Sequence, residues 1–242
     1  MQNRVSKPLK LGGTHNTRDL GGYKKNDGQI TCEGQLLRSD GLQNLSDEDI
    51  ERLYLYGVRV IIDMRSVGEI SQSKCAMKDY KDVKYYHIPL LDHIHSESDG
   101  LDFPPSLSEM YIDLYENSKK NISEVLRVIL NNPDSCVLYN CMAGKDRTGI
   151  ISALMLMLSG VEDDDVIADY SATEDYLIDF IVNRKKFLSN HKINIPEYLF
   201  MAPANEMELT IKWLYENYNT IYEYLLSLGL SEQEIKTLKS KL

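Results

Sequence analysis

No stretch of the chain approaches the ~20 consecutive apolar residues that cross a bilayer, and Met1 to Gly13 lacks the apolar centre of a signal peptide. These absences set a cytoplasmic expectation without stable membrane insertion, and leave export without a recognisable signal open. Cysteine is scarce: Cys32, Cys75, Cys136 and Cys141 are scattered and form no CxxC pair, so neither a zinc site nor a disulfide framework is suggested. Positive charge is in deficit, with 27 Lys and Arg against 37 Asp and Glu, and the net charge of −10 argues against nucleic acid as a partner. No repeat or low-complexity linker divides the chain. With 242 residues, 43% of them hydrophobic, it can bury a core as one domain, 1–242. Within it, 1–160 reads as an α/β core and 161–242 as a helical part packed on it, a candidate lid.

The most informative stretch is residues 137 to 158, V-L-Y-N-C-M-A-G-K-D-R-T-G followed by I-I-S-A-L-M-L-M-L. A short apolar run, a polar loop and a long apolar run predict strand, loop and helix. Five residues separate Cys141 from Arg147, so a tight loop brings the sulfur and the guanidinium onto one small oxyanion, with backbone N–H groups of Met142, Ala143, Gly144, Lys145, Asp146 and Arg147 filling the remaining directions. A helix starting near Arg147 points its positive end into the loop, which favours a phosphate and also favours thiolate at Cys141. The permanent planar charge of Arg147 suits two phosphoryl oxygens and a trigonal bipyramidal transition state. Gly144 allows close backbone approach to the ligand, and Thr148 offers a hydroxyl to the sulfur. This chemistry is covalent catalysis by cysteine with no metal and no cofactor.

NCMAGKDRTG is similar to the HCxxGKDRTG signature loop of a bacterial branch of the protein tyrosine phosphatase superfamily, the branch that includes the mycobacterial secreted tyrosine phosphatase B group. The resemblance extends to NTRDLGGY at 16 to 23, LLRSDGLQNLSDEDIERL at 36 to 53 and VRVIIDMRS at 58 to 66. It implies an α/β fold with a central, mostly parallel sheet flanked by helices. It also implies hydrolysis of phosphotyrosine, and of phosphoserine, phosphothreonine or phosphoinositides in the dual-specificity members, so the implied partner is a phosphorylated protein or a phosphoinositide. Oligomeric state is not implied. One departure stands out: Asn140 occupies the position where the family has His, and Asn can donate a hydrogen bond but cannot carry charge. A pseudophosphatase that binds phosphorylated ligands without turnover is therefore the alternative. A nucleotide P-loop fails, because Tyr139 stands where its first Gly is needed and Asp146 where Ser or Thr must follow the Lys. A rhodanese-like sulfurtransferase also uses a cysteine loop, but GKDRTG points away from it.

Taken in order, Asp27-Gly28 predicts a hairpin over about 22 to 31. Within RDLGGY the residues give no chemical task for Arg18 or Asp19 beyond an ion pair that holds the N-terminal segment. Ser46, an acidic first turn and Gly57 bound a helix, and V-R-V-I-I-D follows as an interior strand. Asp63 and Arg65 at its carboxyl end stand either at the edge of the site or, for Asp63, at the cap of the next helix. V-K-Y-Y-H-I-P-L-L reads as another strand. Asp92 follows it in a long loop, where superfamily members carry a general acid. Asp92, His93 and His95 also admit a weak metal-site reading, set against solvated histidines. Helices are expected at about 107–117, 119–131 and 163–189, with a capping box of Ser231 and Glu234 near the end. Asp146 and Asp92 compete as general acid. Asp146 is narrowly preferred, because the loop must place it near phosphorus.

Overall fold

The structure is a computed structural model and describes residues 5–90 and 103–242. Asp92, His93 and His95 lie outside those residues. Five strands form one sheet: β1 (Arg18–Asp19), β2 (Leu36–Ser39), β3 (Val58–Asp63), β4 (Lys84–His87) and β5 (Cys136–Asn140), in the spatial order β1-β2-β5-β3-β4. All neighbours are parallel except β1 with β2. This is the mostly parallel sheet that the resemblance implied.

Strand β5 sits at the centre because C-V-L-Y-N can be buried on both faces, and every one of its residues is buried. Val137 and Tyr139 face one core, Cys136 and Leu138 the other. Strand β3 obeys the same alternation only from Val60 onwards. A register shift between Val58 and Val60 turns Val58 to the opposite side, beside Ile61. On that side lie α1 (Asp47–Tyr56), capped by Ser46 and stopped by Gly57 at φ 113°, and the short α2 (Val67–Gln72) follows β3. Strand β4 is the edge, and Lys84 and His87 are exposed.

The larger core lies on the other face. Helices α3 (Leu107–Asn117) and α4 (Lys119–Leu130) contribute Leu114, Ile122 and Leu126, and α5 (Asp146–Ser159) is buried along nearly its whole length. A helix apolar all round needs cover on every side. The cover comes from the C-terminal helices α6 (Asp163–Tyr176), α9 (Ile221–Ser227) and α10 (Glu232–Lys239), while α8 (Ala204–Tyr218) packs on α3 and α6, and α7 (Ile178–Asn190) on α6. Ile211, Leu225 and Leu238 belong to the same core as Val137 and Leu154. The expected helix 163–189 is broken at the buried Leu177 into α6 and α7. The hairpin at 22–31 is present as a single bridge between Lys24 and Ile30 around Gly28 at φ 84°. Ser231 and Glu234 form the expected capping box. Among the described residues no helix is long and apolar enough to cross a membrane.

Candidate active site

The carboxyl ends of β2, β3 and β5 meet at one edge of the sheet, and parallel pairing sets them level: Ser39 opposite Asn140, Asn140 opposite Asp63. Cys141 leaves β5 there and is 2% exposed. Helix α5 starts at Asp146, as expected, so its unsatisfied N–H groups and positive end face the loop 141–146.

The loop is held by its carbonyls. Gly41 N–H donates to the Met142 carbonyl at 3.0 Å, and the Asn16 amide donates to the Ala143 and Gly144 carbonyls at 3.1 and 3.0 Å. Arg38 Nη2 donates to the Gly144 carbonyl at 2.7 Å. In a planar trans peptide the N–H of the next residue points opposite to the carbonyl. Three carbonyls drawn outward therefore turn the N–H groups of 143, 144 and 145 the other way. Among the described residues no acceptor takes the N–H groups of Met142, Ala143, Gly144 or Lys145. Gly144 has φ +67°, and a Cβ there would stand 2.6 Å from the Ser39–Asp40 backbone. The need for glycine thus comes from packing against the end of β2, where the sequence had suggested approach to a ligand.

Arg147, in the first turn of α5, meets Glu69 of α2 twice, Nη1 to Oε2 at 2.6 Å and Nη2 to Oε1 at 2.8 Å. Burial weakens its hold on the proton, but the Glu69 bonds and the nearby Cys141 and Asp146 outweigh that, so the guanidinium stays charged. Asp146 accepts from Tyr111 hydroxyl at 2.7 Å, and that hydroxyl also bonds Tyr170 hydroxyl at 2.7 Å. The Lys145 ammonium lies 3.2 Å from Asp146 and donates to the Leu199 and Met201 carbonyls at 2.7 and 2.8 Å. Its side chain ties the loop to the turn before α8. The Thr148 hydroxyl donates to the Ser39 carbonyl at a long 3.5 Å instead of to the Cys141 sulfur, because the end of β2 lies across the first turn of α5.

Asp63 is neither a helix cap nor a free acid. Its carboxylate pairs with Arg65 at 2.7 Å and accepts from Tyr85 hydroxyl at 3.0 Å, and burial together with Asp63 pushes the Tyr85 hydroxyl up, keeping it a donor. The cap of α2 is Ser66. Asn140 reaches Asp63 only at 3.5 Å and the Cys141 carbonyl at 3.4 Å, and its buried Oδ1 has no partner. Sequence reasoning missed Asn16, Arg38, Glu69 and Asp169. Asn16 and Arg38 stand inside the NTRDLGGY and LLRSDGLQ stretches, but nothing along the chain says that they meet residue 144. Among the described residues no group of three or more His, Cys, Asp or Glu is placed to hold a metal ion.

The chain is similar to known proteins. A tyrosine-protein phosphatase of Nostoc commune is 30% identical over 216 residues, covering 85% of this chain and 73% of the relative. The crystal structure of TpbA from P. aeruginosa has 13% identity and a TM-score of 0.41, covering 71% of this chain and 81% of that one. The Siw14 catalytic core has 13% identity and a TM-score of 0.42, covering 89% and 95%. The description "Tyrosine phosphatase family" matches residues 9–242, nearly the whole chain. With Cys141, Arg147 and the turned-in N–H groups at the head of α5, the chain belongs to the tyrosine phosphatase family.

Proposed function

We propose that this protein hydrolyses phosphomonoesters through a phosphocysteine intermediate, with phosphotyrosine as the first substrate class to test. The observation that carries the reading is the loop itself. Its carbonyls are drawn outward by Gly41, Asn16 and Arg38, so that unclaimed N–H groups follow Cys141 in the loop and lead to a guanidinium already aimed by Glu69. Such an arrangement suits a tetrahedral dianion and a developing equatorial charge. The name carried by the Nostoc commune relative supports phosphotyrosine over other esters. Phosphoserine, phosphothreonine and phosphoinositides form the wider panel.

In the first step the Cys141 thiolate forms an S–P bond, the bond from phosphorus to the ester oxygen breaks, and the leaving oxygen takes a proton from Asp146. In the second step water attacks phosphorus, the S–P bond breaks, and the water proton returns to Asp146. Arg147 and the N–H groups of 142 to 147 hold the phosphoryl oxygens through both. No cofactor enters. Asp146 has the better claim to the proton because the loop sets it beside the position of phosphorus, and Asp92 is the competing donor. The pair 1–160 and 161–242 acts as one phosphatase domain, with the segment around Leu199 closing one side of the site.

The test is steady-state hydrolysis of the ester panel by the parent and by Cys141→Ser, with and without a chelator. Cys141→Ser should lose turnover and retain binding of a phosphotyrosine peptide, and a chelator should change nothing. Turnover at the parent rate by the Ser variant rejects the covalent route. A parent that binds the peptide but turns over no ester supports the binding-only reading, for which the poorly partnered Asn140 is the motive.

A further inference from the structure

Behind the signature loop lie three ionised side chains that the proposed steps do not use: Arg18 of β1, Arg38 of β2 and Asp169 of α6, none more than 1% exposed. Asp169 Oδ1 accepts from Arg18 Nε at 3.0 Å and from Tyr23 hydroxyl at 2.8 Å, and Oδ2 accepts from Arg38 Nη1. Arg18 Nη2 adds bonds to the Asp169 carbonyl at 2.7 Å and to Thr173 at 3.2 Å. One carboxylate cannot neutralise two guanidiniums, and Arg38 Nε is buried without a partner. Buried charges left incompletely paired are costly. An apolar residue in place of one Arg, which leaves a single balanced ion pair, would be cheaper if packing were the whole purpose.

The surplus donors are directed at the loop. Arg38 Nη2 donates to the Gly144 carbonyl at 2.7 Å. Arg18 Nη1 donates to Asn16 Oδ1, which orients that amide so that its Nδ2 reaches the Ala143 and Gly144 carbonyls. Asp40 stands beside the same loop and accepts the His15 and Asn16 N–H groups at 2.9 and 3.0 Å, with burial pushing its carboxyl up against those bonds. The Gly144 carbonyl therefore receives two donors, one of them cationic.

We propose that Arg38 is a positioning residue for the phosphate cradle, clamped by Asp169 of the helical part and backed by Arg18 through Asn16. By fixing the Gly144 carbonyl outward it fixes the Lys145 N–H inward, and a cationic donor polarises that peptide so that its N–H carries more positive charge. The same clamp makes the cradle depend on α6, which follows the signature loop in the chain. This inference rests on the phosphatase reading of the loop.

The experiment measures the rate of Cys141 alkylation by iodoacetamide against pH, with and without inorganic phosphate, in the parent, Arg38→Lys, Arg38→Met and Asn16→Ala. Arg38→Met should shift the alkylation midpoint upward by about one pH unit, as the field on the thiolate weakens, and should weaken phosphate protection roughly tenfold. Arg38→Lys, which keeps a cationic donor, should recover part of both losses. Asn16→Ala should move both in the same direction by less. A purely structural role would lower melting temperature without moving the midpoint. A phosphate-protected parent alongside folded variants with the parent midpoint and protection overturns this inference alone. Should Arg38→Met not fold, unchanged behaviour of Arg38→Lys and Asn16→Ala overturns it equally. A parent alkylated at one rate with and without phosphate overturns the phosphatase reading and this inference with it.

Discussion

Glu69 holds Arg147 with both carboxylate oxygens and, with Oε2, also accepts the Ser66 N–H at 2.6 Å, so one side chain caps α2 and aims the guanidinium of α5. The bonds engage Nη1 and Nη2, and among the described residues Arg147 Nε has no acceptor. Nε and the second Nη2 hydrogen thus form the planar fork that the proposed phosphate site requires. Glu69→Gln keeps the shape and loses the charge; kcat/KM for an aryl phosphate should fall about tenfold, or ~1.4 kcal/mol of transition-state stabilisation. Glu69→Ala should cost more and also lower stability by about 1 kcal/mol through the lost cap. Steady-state kinetics beside thermal unfolding separates the two effects, and an unchanged kcat/KM in a folded Ala variant would mean that Arg147 needs no help.

Asp146 is the preferred proton donor, and Tyr111 holds it. Burial and the Asp146 charge push the Tyr111 hydroxyl well up, so it remains a donor throughout the working range. Asp146→Asn should slow an alkyl phosphate far more than an activated aryl phosphate, since only the poor leaving group needs the proton. Tyr111→Phe should show the same pattern in weaker form, because the acid survives without its fixed orientation. If Asp92→Asn gives the selective loss and Asp146→Asn slows both esters alike, the assignment moves to Asp92.

Asn140→His puts a chargeable ring next to Asp63 and Cys141, where the present side chain makes only long bonds. The alkylation midpoint of Cys141 should fall and activity on the acidic side should rise. Superimposable profiles for parent and variant would show that position 140 is silent.

Asp169 carries a pH signature. Burial raises its carboxyl, but Arg18 and Arg38 more than reverse that and hold it at about 2, below the ordinary 3.8. A carboxyl whose folded value is depressed contributes stability above its unfolded value and loses that contribution as pH falls through the folded one. The parent should therefore lose stability between about pH 4 and pH 2. In Asp169→Asn that acid loss should be flatter, from a lower starting stability because two guanidiniums are left without a carboxylate. Chemical denaturation at several pH values reads both, and parallel curves for the two proteins would contradict the assignment.

The order of elements around the signature loop could be read along the chain, because each cue is local. A β-branched run makes a buried strand, Ser46 and Gly57 bound a helix, and N-C-M-A-G-K-D-R-T-G followed by an apolar helix states both the turn and its anion chemistry. Those cues depend on neighbours within a few residues, where backbone geometry and side-chain period decide the outcome. What surrounds the loop depended on distant segments meeting. Asn16 and Gly144 are 128 positions apart, Arg38 and Asp169 131, Arg147 and Glu69 78. A lone Arg or Asn in sequence carries no address for its partner, since a hydrogen bond needs contact within about 3 Å that only packing of the sheet against the helices creates. The same holds for what the local reading misplaced. Thr148 looked free to reach sulfur and Gly144 to admit a ligand until β2 was folded against them, and of the two places open to Asp63 the helix cap went to Ser66 while Asp63 stayed level with Asn140 at the sheet edge.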